Sequence, residues 1–219
     1  MREISLKGVG RVYRNLGSSF SVLDDIFKDT SLSGTHSLHE KLEDLAEEEH
    51  SFHVSECIYG WRAKFEQTWA HIEVRIELDP DNDVSNATMN TLRPIWETEI
   101  ENTWNKKWAL GRSGELSCDL TFDVRWVTSD RHHKVKVHST SQRSDMTNWD
   151  IFDIFAPATG STAAHEFGHM LGYPDEYTDP NCPNRSPVNT GTVMDNNSNN
   201  VPSRLMQVFA DNIGSNVVP

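Results

Sequence analysis

The chain has 219 residues and a formal net charge of −13 at pH 7. This length suffices for one domain with a substantial core, or for one domain with an appendage. The acidic balance argues against nucleic acid or an anionic membrane as the main partner. No apolar run reaches the roughly 18 residues of a membrane span, and residues 1–20 lack the apolar stretch of a secretory signal peptide. These features leave open the cytosol, export by a non-classical route, or a place within something larger.

Residues 1–65 differ in composition from the rest of the chain. The capping-box pattern of residues 37–40, Ser-Leu-His-Glu, predicts an acidic helix that residues 47–49 would continue as a solvated face. A pro-piece, a delivery linker and a packing appendage all fit this composition. We therefore expect two regions, a partly helical N-terminal segment at 1–65 and a main domain at 66–219.

The first strong pattern of the main domain is a strand followed by a helix. Apolar and charged residues alternate from 72 to 78, which predicts a half-buried strand. After an acidic turn at 79–83, Ser85 or Asn86 is expected to cap a helix. Its apolar residues recur every three or four positions, at Met89, Leu92, Trp96, Ile100, Trp104 and Trp108. Pro94 either kinks this helix or marks its first turn.

Three further strands are expected before the most informative segment. Apolar residues alternate with polar ones from Leu116 to Trp126, which predicts one long strand, and residues 132–138 predict another. Lysines on the polar face of the second suit a sheet edge. Its histidines, His132, His133 and His138, are expected to be exposed, since alternation sends them to different faces. Residues 149–155 suggest a third, shorter strand, and residues 202–213 a final helix.

The segment HEFGHMLGYPD at residues 165–175 carries the clearest chemical signal. Residues four apart on an α-helix share a face, so His165 and His169 can converge on one zinc ion. Glu166 lies about 100° around the helix from His165, near enough to reach a metal-bound water without binding the metal. A catalytic zinc keeps three protein ligands and one open position. The spacing therefore predicts a zinc site that needs a third ligand.

The residues after the second histidine indicate where that ligand comes from. Gly172 tolerates the left-handed conformation that commonly ends a helix. Pro174 prevents the helix from continuing and favours an extended Tyr173. The bend would carry Asp175 back to the ion, and zinc accepts carboxylate oxygen. Glu176, the next residue, is a second oxygen donor that could serve instead.

This extended motif resembles the metzincin signature HExxHxxGxxH with aspartate in place of the last histidine, a variant similar to the snapalysin-type peptidases of bacteria. The resemblance covers about residues 71–214 and favours Asp175 over Glu176 as third ligand. It implies an α+β zincin fold with a twisted mixed sheet, a backing helix, an active-site helix, a methionine turn and a C-terminal helix. Met194, in Thr-Val-Met-Asp at 192–195, matches the methionine of that turn.

The same resemblance implies peptide binding along an edge strand, a role carried over here to the strand at 132–138. Tyr173 and Tyr177 flank the bend; either phenol could assist an oxyanion or the metal, or simply pack its ring. The loop at 178–190 is expected to shape the far wall of a cleft. Of the three cysteines, Cys57 and Cys182 could form a disulfide, while Cys118 is expected to be a buried thiol.

The function expected from the motif and the resemblance is zinc-dependent hydrolysis of peptide bonds, with Glu166 as general base. The alternative is a zinc-containing domain that has lost catalysis and only binds peptides. The motif is also similar to segments of uncharacterised bacterial metallopeptidase domains, which suggests a toxin or effector role. We expect Zn²⁺ as cofactor, a peptide or protein as substrate, no nucleic-acid or membrane partner, and a monomer.

Overall fold

Two β-sheets and three α-helices make up the part of the chain that the computed structural model describes, residues 47–111, 117–152 and 162–219. The chain is therefore an α+β protein with a mixed sheet, as expected. The elements in chain order are β1 (Glu48–Glu56), β2 (Tyr59–Thr68), β3 (His71–Pro80), α1 (Asn86–Trp104), β4 (Ala109–Gly111), β5 (Cys118–Asp119), β6 (Thr121–Trp126), β7 (His133–His138), β8 (Asn148–Asp150), α2 (Thr162–Met170), a 3₁₀ turn (Ser203–Met206), α3 (Gln207–Asn212) and β9 (Asn216–Val218).

The larger sheet is built around β3. This strand pairs antiparallel with β2 and parallel with both β6 and β7, while β8 pairs parallel with β7. The predicted alternation is confirmed, because Ile72, Val74 and Ile76 are fully buried beneath the helices. The smaller sheet joins β5, β4 and β9.

The boundary expected between residues 65 and 66 is wrong. It falls inside β2, and β1 pairs with β2 along its whole length, from Glu48 opposite Gln67 to Glu56 opposite Tyr59. The compact unit that contains the sheet begins at Leu45. The helix expected to continue through residues 47–49 is also absent there, because β1 begins at Glu48; its start at 37–40 lies outside the described residues. Most of β1 is exposed, so it lacks the apolar alternation that would have indicated a strand.

The backing helix α1 confirms the predicted stripe and cap. The Ser85 side chain accepts a hydrogen bond from the Thr88 N–H at 3.0 Å, and Pro94 lies inside the helix. The stripe is buried at Met89, Leu92, Trp96, Ile100 and Trp104. Trp108 lies beyond the end of the helix and instead donates its indole N–H to the Val201 carbonyl at 2.9 Å.

The single strand expected from 116 to 126 is wrong, because this stretch divides between the two sheets. Within it, β5 pairs with β4 and β6 pairs with β3. Leu120 separates them and is only 1% exposed, so the apolar alternation continues across the break. Burial alone therefore could not reveal that the chain changes sheets. Leu116 lies outside the described residues.

The expectations for the strand at 132–138 need two corrections. First, β7 lies between β3 and β8, so it is not a sheet edge. Second, His132 and His133 are buried rather than exposed. One ring nitrogen of each is used: the Arg75 N–H donates to His132 Nδ1 at 3.1 Å, and His133 Nε2 donates to the Lys64 carbonyl at 2.8 Å. These bonds offset part of the cost of burying polar rings, although His132 Nε2 has no hydrogen-bond partner among the described residues. His138 is half-buried.

The C-terminal part follows the prediction closely. The expected helix at 202–213 begins as the 3₁₀ turn and continues as α3, with Leu205 and Phe209 buried. The short strand expected at 149–155 is the three-residue β8; residues 153–155 lie outside the described part. Within the described ranges, no helix combines the length and apolarity needed to cross a membrane.

Candidate metal centre

The end of α2 has the geometry that the sequence predicts. The Tyr173 N–H donates to the Gly168 carbonyl and the Gly172 N–H donates to the His169 carbonyl, each at 3.0 Å. Together these two bonds form a Schellman motif, which requires a left-handed residue at the helix end. Gly172 supplies it with φ of +102°. The chain therefore turns back sharply, bringing Asp175 beside the two histidines of the helix.

Three potential ligand atoms meet at this point. Asp175 Oδ1 lies 3.1 Å from His165 Nε2 and 3.2 Å from His169 Nε2. Ligand atoms of the three residues all lie within 4.8 Å of one another, and no other such group of histidine, cysteine or acidic side chains occurs among the described residues. Tetrahedral zinc with bonds of about 2.1 Å separates its ligand atoms by about 3.4 Å. The spacing thus fits one zinc ion with little movement.

Both imidazoles are held from behind by backbone carbonyls. His165 Nδ1 lies 2.8 Å from the Val193 carbonyl, and His169 Nδ1 lies 2.7 Å from the Tyr173 carbonyl. A carbonyl can only accept, so each Nδ1 carries its hydrogen, which leaves Nε2 as the atom able to bind a metal. The Trp61 indole donates to the His169 carbonyl at 2.8 Å and its ring meets the imidazole edge-on. The tautomers and ring orientations therefore suit metal binding.

The electrostatics of the cluster favour an ionised Asp175. Burial acts to raise the pKa of Asp175, but without a metal the hydrogen bonds from Nε2 of His165 and His169, whose protons a metal would displace, outweigh it and hold this pKa well below its ordinary value. Burial likewise acts to lower the pKa of His169, and its hydrogen bond to Asp175, together with the nearby charge of Glu166, raises this pKa instead. The centre is thus an anionic carboxylate facing two imidazoles.

Glu166 stands apart from this hydrogen-bonded group. It is 5% exposed, and its Oε2 lies 3.9 Å from His169 Nε2, beyond hydrogen-bonding range. This buried oxygen has no hydrogen-bond partner among the residues that the structure describes. Burial raises the pKa of Glu166, although the neighbouring histidines act in the opposite direction. Leaving a buried carboxylate oxygen unpaired is costly, so Glu166 is suited to a partner from outside the chain, such as a water molecule or a substrate.

The structure separates Asp175 from the other candidate ligand. Glu176 is buried, and its Oε2 accepts hydrogen bonds from the Thr192 hydroxyl at 2.6 Å, from Thr190 and from the Arg204 guanidinium. Those bonds hold the pKa of Glu176 below its ordinary value even though burial opposes them. Glu176 is therefore occupied on the side of the methionine turn and does not belong to the histidine cluster.

The two tyrosines also differ in their surroundings. Tyr173 stacks on Trp104 with ring centroids 5.9 Å apart, and its hydroxyl donates to the Leu205 carbonyl. Tyr177 lines the cleft instead, where the Arg143 guanidinium donates to its hydroxyl at 2.7 Å. Tyr173 thus has a packing role, whereas the Tyr177 hydroxyl lies at the cleft wall between Arg143 and Asp175 and hydrogen-bonds to both.

Met194 lies in a turn beneath the active-site helix. The Asp195 N–H donates to the Thr192 carbonyl at 3.0 Å, and Met194 itself is fully buried. A Cβ on Gly168 would collide with the Met194 sulfur, which shows how closely the helix rests on this side chain. Met194 thus packs directly against α2, close to Gly168.

The cleft over the cluster contains residues that the sequence did not single out. It has a volume of about 850 Å³ and is lined by His165, Glu166, His169 and Asp175 together with Trp61 and Arg143. Part of the loop at 178–190 contributes through Asp179. Trp61 belongs to β2, in the N-terminal region 1–65 whose role the sequence left open, so nothing in the sequence connected it with the histidines.

The end of the β1–β2 hairpin is tied to the loop beyond Asp175. Cys57 and Cys182 form a disulfide, with Cα atoms 5.6 Å apart, and Cys118 is a free, half-buried thiol. Beside the disulfide, Arg185 Nε donates to Glu56 Oε1 at 2.5 Å. The possible pairing of the two distant cysteines was the only sequence feature that could have revealed this link.

No known protein family, curated protein or solved structure matches this chain.

Proposed function

We propose that this chain is a zinc-dependent endopeptidase whose ligands are His165, His169 and Asp175. One observation carries the proposal: the Nε2 atoms of two imidazoles face one carboxylate oxygen at 3.1 and 3.2 Å, at the floor of an open cleft. Two neutral nitrogens and one carboxylate are a ligand set typical of catalytic zinc, whereas structural zinc sites commonly use cysteine. The single free cysteine of the described residues, Cys118, does not line the cleft.

The unpaired oxygen of Glu166 supports a catalytic rather than a structural use of the metal. When bound, zinc would polarise the scissile carbonyl and lower the pKa of a coordinated water to near 7. Glu166 would take the proton of the attacking water and deliver it to the leaving amine, acting first as a base and then as an acid. Tyr177, at the cleft wall, would donate a hydrogen bond to the substrate carbonyl oxygen in place of its present bond to Asp175.

The alternative, a domain that binds zinc and peptides without hydrolysis, has no use for a buried carboxylate aimed into the cleft. The two functions differ in a direct assay with fluorogenic casein. Purified protein loaded with one equivalent of zinc should hydrolyse casein, lose this activity with a chelator and regain it on zinc addition. Zinc-loaded protein that binds casein without cleaving it would support the alternative.

Replacement of the proposed base tests the role of Glu166. Glu166→Gln should still bind one zinc ion and fold, while losing activity by about 10²–10⁴-fold, because the amide cannot accept the proton. Glu47→Gln, the same chemical change at an exposed position, is the matched control and should match the wild type. Full activity in Glu166→Gln would remove this residue from the mechanism.

A further inference from the structure

Arg185 is a buried cation beside the proposed metal ligand. Its side chain is 3% exposed, and it holds Glu56 through two bonds, from Nε at 2.5 Å and from Nη2 at 3.3 Å. Nη1 donates to the Tyr177 carbonyl at 2.9 Å, and the guanidinium lies over the Tyr177 ring. Nη2 also reaches Asp175 Oδ2 at 3.4 Å. Arg185 is therefore held from several sides, and its Nη2 is shared among Glu56, Asp175 and, at 3.8 Å, Asp179.

The two oxygens of Asp175 have separate partners. Oδ1 faces the imidazoles of His165 and His169, whereas Oδ2 faces Arg185, and the Tyr177 hydroxyl also hydrogen-bonds to this carboxylate. Asp175 lies in a loop beyond the helix end, where backbone structure does not restrict rotation of a carboxylate. A fixed cation on Oδ2 restricts that rotation, so Oδ1 keeps pointing at the imidazoles. Outer partners of this kind are known to orient metal ligands and to tune metal affinity.

An isolated positive charge on Arg185 would weaken zinc binding, because a cation near the site repels the metal ion. Glu56 neutralises this charge, since its carboxylate is 2.5 Å from Arg185 and the pair carries no net charge. The Glu56 side chain is itself only 10% exposed, so the pair is weakly screened by solvent. The pair can therefore hold Asp175 without opposing the metal.

A single disulfide links the two chain segments that carry the pair. Glu56 precedes Cys57 at the end of β1, and Cys182 lies three residues before Arg185. The Arg185 N–H also donates to the Cys182 carbonyl at 3.0 Å. The disulfide thus keeps the carboxylate and the guanidinium together across 125 residues of sequence.

We propose that Arg185 is a positioning residue that aims Asp175 Oδ1 at His165 and His169, and that Glu56 and the Cys57–Cys182 disulfide hold it in place. We call Glu56, Arg185 and this disulfide the clasp. The inference rests on the proposed metal site and adds to it the part of the chain that keeps the third ligand in position. It connects the β1–β2 hairpin with zinc affinity.

The test replaces the pair without changing net charge. Glu56→Gln/Arg185→Gln removes one charge of each sign and leaves amides that can still bond to one another. Glu77→Gln/Arg131→Gln is the matched control, because it removes an ion pair on the sheet surface, outside the cleft. Zinc affinity is measured by competition with a chromophoric chelator, and the visible absorption of the Co²⁺-substituted protein reports ligand geometry.

The clasp variant should bind zinc about 10–100-fold more weakly than the wild type, with an altered Co²⁺ spectrum. The control variant should stay within about twofold on the same scale. Arg185→Lys, which keeps the charge but not the forked donor, should fall between the two. Wild-type affinity and an unchanged Co²⁺ spectrum in the clasp variant would overturn the inference.

Two further outcomes have defined meanings. If circular dichroism shows that the clasp variant does not fold, Arg185→Lys serves in its place, and wild-type zinc affinity in that variant overturns the inference. If the wild type binds zinc but cleaves no peptide, the proposed function fails while the affinities still decide the role of Arg185. A wild type that binds no zinc removes both.

Discussion

The substitution Gly168→Ala has two opposite effects on stability, a gain in helix propensity and a steric clash in the core beside the site. Alanine is favoured over glycine inside a helix by about 1 kcal/mol, so an exposed site would become more stable. Here the new methyl group would collide with the Met194 sulfur and would lie 3.1 Å from both Met194 Cε and Trp104 Cζ2. Met194 and Trp104 are fully buried, so neither can move without disturbing other contacts. Overpacking of a core typically costs about 1–3 kcal/mol.

We therefore expect Gly168→Ala to lower the free energy of unfolding, by up to about 2 kcal/mol once the helix gain is subtracted. Urea unfolding of the metal-free protein, followed by circular dichroism, gives this free energy without a contribution from bound zinc. A double-mutant cycle with Met194→Ala isolates the collision, since the smaller side chain makes room for the methyl group. The double variant should be more stable than the sum of the single effects predicts, by at least about 0.5 kcal/mol. A Gly168→Ala protein about 1 kcal/mol more stable than the wild type would refute the reasoning.

Two other properties can be checked by unfolding measurements. Cys57→Ser/Cys182→Ser should lower the free energy of unfolding by about 2–5 kcal/mol, because the disulfide closes a loop across 125 residues. Cys118→Ser, a change at the free thiol, is the control. An equal loss of stability in both variants would contradict this explanation. Burial lowers the pKa of His133 to about 4, so the unfolded chain binds more protons between pH 4 and 6.5, and stability falls as the pH falls. Between pH 7 and pH 5, protonation of His133 should lower the free energy of unfolding by about 2 kcal/mol. His133→Gln keeps a donor for the Lys64 carbonyl and should remove this part of the pH dependence. A pH profile of stability that is unchanged in this variant would contradict the role of His133.

The proposed ligands could be predicted from the sequence because their arrangement is local. His165 and His169 share one helix face, and Gly172 ends the helix with the positive φ that its lack of a side chain permits. Asp175 follows within three residues, so few conformations are available to it. The same reasoning explains why β3 and α1 were predicted correctly, since each has a regular apolar pattern.

What the sequence could not provide was contact between distant segments. The choice between Asp175 and Glu176 depends on Thr190, Thr192 and Arg204, which occupy the second carboxylate. Most of the β1–β2 hairpin was expected to belong to an N-terminal segment whose role stayed open, although it supplies Trp61 to the cleft. The exposed strand β1 lacks the apolar alternation that would have indicated a sheet. The interior position of β7 depends on its pairing with β8, and the pattern along a single strand does not indicate which strands lie beside it.

The proposed ligands and the groups that orient them lie in different segments, so substitutions in the two sets should have different effects on zinc binding. The proposed ligand atoms come from eleven consecutive residues, but the groups that orient them lie outside this segment, such as the Val193 carbonyl behind His165 and Arg185 behind Asp175. Substitution of a ligand removes a bond to the metal, whereas substitution of an orienting group leaves the bond and alters its geometry. Substitution of an orienting group should therefore reduce zinc affinity by a limited factor rather than abolish zinc binding. The β1–β2 hairpin, far from the motif in sequence, is the place where such graded changes should arise without altering HEFGHMLGYPD.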